Sequence, residues 1–304
     1  MGNRKFIDYF IIALKGIAMG IAELVPGVSG GTIAFVAGIY EEFITSINNV
    51  NMATFRTLQK EGFKAFWKKL NGNFLVALFL GMAISIFSLS KIIAWLLENH
   101  PIPVWAFFFG LVLASVLFVA KAIKKWRLTT ILLFVLGAVI AFYITTLPPS
   151  SNTGNLPFLF LSGALAVCAM VLPGISGSFI LVLLGSYKTI LDALNDKDFK
   201  IVLTVTFGAV FGILSFARIL KWMFGNYKDI TLALLTGFIL GSLNKIWPWK
   251  HVVETIKIGK KEIILDENIS PFTYNGDNQL TFAIITAIIG FSLIFILEKT
   301  ASRK

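Results

Sequence analysis

Two stretches, ELVPGVSGGTIAFVAGIYEEF at 23–43 and MVLPGISGSFILVLLGSYKTI at 170–190, carry the residues best suited to chemistry. Each contains Pro-Gly, as Pro26-Gly27 and Pro173-Gly174, followed by a run of small and hydroxyl residues. The first run is Ser29, Gly30, Gly31 and Thr32; the second is Ser176, Gly177 and Ser178. Proline inside a helix removes a backbone donor and clashes with the preceding turn, so each motif ends one helix. The hydroxyl residues suit the start of another, where a side-chain oxygen caps free N–H groups. Those N–H groups and the positive end of the helix dipole make a place for an anion, phosphate above all. A nucleotide phosphate loop is excluded, because no Lys stands before Thr32 in the segment after Gly27, as the Walker pattern requires.

Ionisable residues within apolar segments are the second signal, since a charge in a bilayer is expensive and usually faces a cavity or a partner. Glu23 stands three residues before Pro26, and Lys15 lies eight residues earlier still, about two helical turns away on roughly the same face. Lys91 and Arg218 occur at equivalent places in the two halves of the chain. We expect both to recognise phosphate, as a guanidinium or ammonium beside a helix N-terminus would. Glu23, with Met170 in its place in the second half, is the expected site of a coupling proton or cation, with Lys15 nearby. Plainer roles stay open: tight turns for the motifs, a salt bridge for Glu23 and Lys15, and snorkelling to the interface for Lys91 and Arg218.

Catalysis has less to work with. The two histidines, His100 and His251, fall in loops away from the Ser motifs, and Glu23 is a lone carboxylate. Nucleophilic or acid–base catalysis needs a nucleophile with a partner, and a metal site needs several ligands. Cys168 is the single cysteine, so neither a disulfide framework nor a thiolate site is available. No cofactor or metal is implied. The net charge of +11 lies in short connections rather than on one solvated face, which argues against nucleic acid.

The elements that must position these residues are apolar. The chain of 304 residues is 57% hydrophobic and only 14% charged, with a mean hydropathy of +0.82; a soluble domain is roughly 25% charged. Segments long enough to cross a bilayer, about 20 residues each, occur at 74–97, 103–120, 128–147, 201–219, 231–247 and 279–297. The expected fold is an all-α polytopic membrane protein.

The sequence also repeats. An offset of 147 lays Gly16 on Gly163 and the first Pro-Gly motif on the second; an offset of 127 then matches Gly81 to Gly208, Lys91 to Arg218 and Gly110 to Gly237. We read two repeats, 1–147 and 148–304. The first holds a re-entrant helical hairpin at 6–44, an amphipathic connection at 45–73 and three spanning helices. The second holds a hairpin at 157–191, helices 201–219 and 231–247, an extracytoplasmic segment 248–278 and helix 279–297. A hairpin returns to its own side, so each repeat crosses an odd number of times and the second is inverted, as in many secondary transporters. With the N-terminus inside, segments 1–8, 41–73, 121–127, 218–230 and 298–304 hold 17 Lys and Arg, against 7 in 98–103, 148–157, 188–200 and 248–278. The positive-inside rule then puts both termini in the cytoplasm. Segment 251–277 alternates apolar and polar residues and is expected to form a small hairpin or surface flap.

The stretch GIAMGIAELVPGVSGGTIAFVAGIYEEFI, with VLPGISGSFILVLLGSY later, closely resembles the PopT-like polyprenyl-phosphate transporters, and the resemblance covers nearly the whole chain. It implies a flippase of the bacterial cytoplasmic membrane that returns undecaprenyl phosphate from the outer to the cytoplasmic leaflet for envelope synthesis. It further implies a lining built from Glu23, Pro26, Gly27, Ser29, Gly30, Gly31 and Thr32, with Pro173, Gly174, Ser176, Gly177 and Ser178 opposite. The polyprenyl tail comes from the resemblance alone. Two alternatives are a membrane polyprenyl-diphosphate phosphatase and a transporter of a small inorganic anion. The sequence sets no oligomeric state.

Overall fold

The computed structural model describes residues 4–150, 154–258 and 261–301. The chain ends 1–3 and 302–304, and part of the 148–157 connection, lie outside the described residues. The chain is almost entirely helical. The first half runs α1 (Phe6–Leu24), α2 (Gly30–Val36), α3 (Tyr40–Asn48), α4 (Met52–Glu61), α5 (Phe63–Leu70), α6 (Gly72–Asn99), α7 (Pro101–Lys121) and α8 (Leu128–Thr146). The second runs α9 (Leu156–Val171), α10 (Gly177–Leu183), α11 (Ser186–Asn195), α12 (Phe199–Asn226), α13 (Lys228–Ser242), a 3-10 turn at Leu243–Ile246, strands β1 (Lys250–Ile258) and β2 (Lys261–Asn268), and α14 (Leu280–Ala301). Among the described residues five helices, α6, α7, α8, α12 and α13 with its 3-10 turn, are long and apolar enough to cross a membrane. The bent pair α10–α11 makes up to six. The protein is a polytopic membrane protein.

Several expected boundaries move. Helix 201–219 extends to Phe199–Asn226, because the run 219–224 after Arg218 is largely apolar and continues the helix. Segment 231–247 instead ends as α-helix at Ser242 and tightens into the 3-10 turn. Each expected hairpin has three helices, since Gly38 (φ 69°) and Gly185 (φ 71°) add a second break; α10 and α11 meet at 107°. The connection 45–73 is α4 and α5, with Phe63 stacked on Trp67 and much of its apolar surface exposed. The chain is helical as expected, and the segment whose alternation suggested a small hairpin is the exception to helix. β1 and β2 pair antiparallel from Lys250 with Asn268 to Ile258 with Lys261, the arrangement that alternating side chains favour. Trp247 and Trp249 fasten this hairpin by donating to the carbonyls of Ile269 and Asn278 at 2.9 and 2.8 Å.

Helices pair across very close contacts made by glycine. Gly16 and Gly81 bring α1 and α6 together against the carbonyls of Leu78 and Ala13. Gly163 and Gly208 do the same for α9 and α12 against Val205 and Phe160. The partners keep the sequence offsets of 147 and 127. A second set joins the halves: Gly110 of α7 meets Ala287 of α14, and Gly237 of α13 meets Phe134 of α8. Gly290 against Phe107 and Gly137 against Leu234 complete it. Here α8 and α14 match at an offset of 153 rather than 127, because the β-hairpin lengthens the connection before α14. Any side chain at these positions would push two backbones apart, which small-residue packing in membranes avoids.

Candidate functional site

At the first break, α1 ends at Leu24, and Gly27 (φ 82°) takes the left-handed conformation that glycine accepts without steric cost. Glu23 at the end of α1 turns back, and its Oε1 accepts the Gly30 N–H at 2.8 Å. Ser29 caps α2 by accepting the Gly31 N–H at 3.0 Å. The start of α2 is thus already occupied by a carboxylate and a hydroxyl of the chain itself. Lys15 Nζ donates to the Ala37 carbonyl at the far end of α2, 2.5 Å away. Lys15 and Glu23 therefore hold opposite ends of one short helix.

The second break, with Gly174 at φ 91°, lies directly against the first. Ser29 Oγ lies 3.1 Å from the Leu172 carbonyl and 3.2 Å from that of Met170, with one hydrogen to donate. Tyr40 donates to Val171 at 3.2 Å, and Thr32 Oγ1 accepts the Gly174 N–H at 2.9 Å. Three side chains of the first hairpin satisfy backbone groups that the second break leaves without helical partners, as a medium free of water requires. Gly31 allows this approach, because a Cβ there would come within 2.6 Å of the Val171 carbonyl. Ser176 caps nothing and instead pairs with Ser178, Oγ to Oγ, at 2.8 Å.

Beside the locked tips lies a cavity of about 1150 Å³. Pro26 and Gly27 line one side, and Ser178, Phe179 and Val182 of α10 another. The end of α6, the start of α7, residues 145–149 and the β-hairpin close the rest. Among the expected site residues, only Pro26, Gly27 and Ser178 line it. Ser29, Gly30, Gly31, Thr32, Pro173, Gly174, Ser176 and Gly177 are buried in the tip contact. Lys91 and Arg218 are exposed on α6 and α12, away from the cavity.

Among the described residues, the cations at the cavity are Lys245 and Lys250. Lys245 Nζ lies 3.2 Å from Asp266 Oδ1, and Lys250 Nζ lies 3.1 Å from Asp266 Oδ2. Lys250 also donates to the Lys245 carbonyl at 2.8 Å. Its ammonium sits 4.5 Å over the Trp105 ring, and that of Lys245 5.4 Å over Phe179. Burial pushes the Lys250 ammonium from its ordinary 10.5 down to about 8; Lys245 adds to the shift and Asp266 opposes it. The sequence held a signal for Lys245, a charge inside the apolar run 231–247. Asp266 had none, because its approach depends on how β2 folds back.

The undecaprenyl phosphate translocase-like family matches residues 19–264, most of the chain. A polyprenyl-phosphate transporter of Vibrio cholerae is 42% identical over 305 residues, covering 98% of this chain and 99% of its own. A polyprenyl-phosphate transporter of Staphylococcus aureus is 35% identical over 257 residues, covering 79% of this chain and 86% of its own. No solved structure matches the chain at a significant level. Both Pro-Gly breaks and most of the cavity fall within the matched span, and the chain belongs to the undecaprenyl phosphate translocase-like family.

Proposed function

We propose that this protein carries a polyprenyl phosphate, undecaprenyl phosphate in a bacterial envelope, from the outer to the cytoplasmic leaflet of the cytoplasmic membrane. The observation that carries the reading is the cavity of about 1150 Å³ with a broken helix at its edge and two partly buried cations in its wall. Such a volume is ample for a ligand headgroup. The names of the two relatives support the same substrate.

Direction follows from the charge pattern. The cavity is bordered by 98–103, 148–149 and 248–274, all assigned to the outer side by their few basic residues. The headgroup therefore enters from outside. The matched glycine contacts support two repeats related by exchange, and the odd number of crossings makes them inverted. Passage inward requires the tips to part, breaking the bonds of Ser29 and Thr32 to the second break. Glu23 is the group we assign to coupling: a proton on its carboxylate weakens the charge-assisted bond from Gly30, with Lys15 holding the other end of α2.

Lys91 and Arg218 each lie eight residues before the end of a 28-residue helix, about 12 Å of rise. On helices about 42 Å long across a core of about 30 Å, inverted repeats set them about 6 Å inside the hydrocarbon of opposite leaflets. That is within snorkelling reach of the headgroups, and we assign them to capture and release of the phosphate.

The test is transport in proteoliposomes carrying a short-chain polyprenyl phosphate in one leaflet. Wild type is expected to move the intact lipid, and Arg218→Ala and Glu23→Gln to slow it. Release of inorganic phosphate would replace the transporter with a phosphatase.

A further inference from the structure

We infer that Lys245 and Lys250 form the binding site for a phosphomonoester headgroup, and that the Asp266 carboxylate occupies this site until a phosphate displaces it. The inference rests on the transporter reading and names the headgroup site within it; neither lysine belongs to a Pro-Gly motif.

The charge count points this way. Two ammonium groups hold one carboxylate between them, with side-chain exposures of 21% for Lys245, 11% for Lys250 and 17% for Asp266. Within this group the ammoniums outnumber the carboxylate by one, while Glu98 and Glu267 also line the cavity. Among the described residues the ion pairs of both lysines run to Asp266, and a partly buried charge left without a close partner is costly. A phosphomonoester carries roughly 1.5 to 2 negative charges at neutral pH and three acceptor oxygens. It balances both lysines where the carboxylate balances one.

The walls select for more than phosphate. The Trp105 and Phe179 rings lie under the two ammonium groups and hold them in place. Leu97, Ile102, Val182 and Leu183 continue the lining as apolar surface. A phosphate on an isoprenoid chain meets cations and hydrocarbon in one cavity, whereas free phosphate uses the cations alone.

The site is also connected to both moving candidates. Asp266 belongs to β2, so its displacement removes one tie between that strand and Lys245 at the end of the helical bundle. Lys245 lies on the first break: a Cβ on Gly27 would come within 2.8 Å of its Cγ. Exchange of carboxylate for phosphate loosens the hairpin's contact with the cavity on one side and loads the Pro26-Gly27 break on the other, while Trp247, Trp249 and Asn268 keep the hairpin attached.

Calorimetric titration of the purified full chain with farnesyl phosphate, inorganic phosphate and farnesol tests this, with thermal unfolding as a folding control. Lys245→Met and Lys250→Met are expected to weaken farnesyl phosphate binding about tenfold or more. Asp266→Asn, which removes the competing anion, is expected to tighten it about fivefold. Lys245→Arg keeps the charge and should retain binding, so the question stays decidable if a Met variant does not fold. Weaker or unchanged binding in a folded Asp266→Asn variant marks a merely structural ion pair and overturns the inference. Wild-type affinity in both folded Met variants also overturns it, while leaving the transporter reading standing. Inorganic phosphate bound as tightly as farnesyl phosphate, and lost in the same variants, supports the site and removes the lipid from the proposed function.

Discussion

The two hairpins share a motif but not an environment. In α2 six of seven residues are buried, and the polar groups at its ends are Lys15, Glu23 and Ser29. In α10 only Gly177 is buried, and the residues equivalent to Lys15 and Glu23 are Ser162 and Met170. Ser162 reaches Ser186 at 2.8 Å, two positions past the equivalent of Ala37, which Lys15 reaches in the first hairpin. The first hairpin is therefore an anchor within the core. The second leans on it and turns its outer face to the cavity. A symmetric motif thus supplies unequal parts, one buried in the core and one lining the cavity.

Equivalent substitutions should separate the two. The largest contrast is expected between Gly31→Val and Ser178→Val, which occupy the same position in the two motifs. Valine at 31 collides with the Val171 backbone and should cost about 3 kcal/mol or prevent folding. Valine at 178 forfeits one hydroxyl contact, about 1 kcal/mol. Thermal unfolding in detergent measures both, and similar losses would end the distinction between anchor and wall. Next, Glu23→Ala strips the Gly30 N–H of its acceptor, at about 2 kcal/mol, with Glu23→Gln restoring part of it. Met170→Ala should lose about 1 kcal/mol, since Met170 is 37% exposed. A Lys15→Met variant is expected to lose about 1 kcal/mol through the Ala37 carbonyl, and more than Ser162→Ala does.

The mildest perturbation is pH. With Lys250 at about 8, its protonated fraction falls about fourfold between pH 7 and 8.5, and farnesyl phosphate affinity should fall by that factor. Stability should move the other way. The folded lysine releases its proton near 8 and the unfolded one near 10.5. Between these values the unfolded chain binds more protons, so unfolding becomes harder as pH rises. Parallel pH series of binding and unfolding check the opposite signs, and Lys250→Met should flatten both.

Much of the architecture was legible because bilayers impose simple arithmetic. Apolar length located most of the long helices within a few residues, α12 running seven residues past its expected end, and Pro-Gly located both breaks. Aligned glycines located the α1–α6 and α9–α12 contacts, since two backbones can touch only where no side chain intervenes. The last helix of each half was harder to align, because 26 extra residues shift its register to 153. The extra β-hairpin looked like a surface flap by its alternation, yet nothing in that pattern aimed Asp266 at Lys245.

By itself the sequence determined a membrane protein with two broken hairpins and a small set of buried charges, because transfer out of water depends on composition and local pattern. Only the tertiary structure decided how those charges are used. Glu23 caps α2, Ser29 and Thr32 lock the tips, and Lys245 and Lys250 share Asp266 beside the cavity. Hydrogen bonds and ion pairs act over about 3 Å, and residues 141 to 143 positions apart reach that distance only once the whole chain has folded.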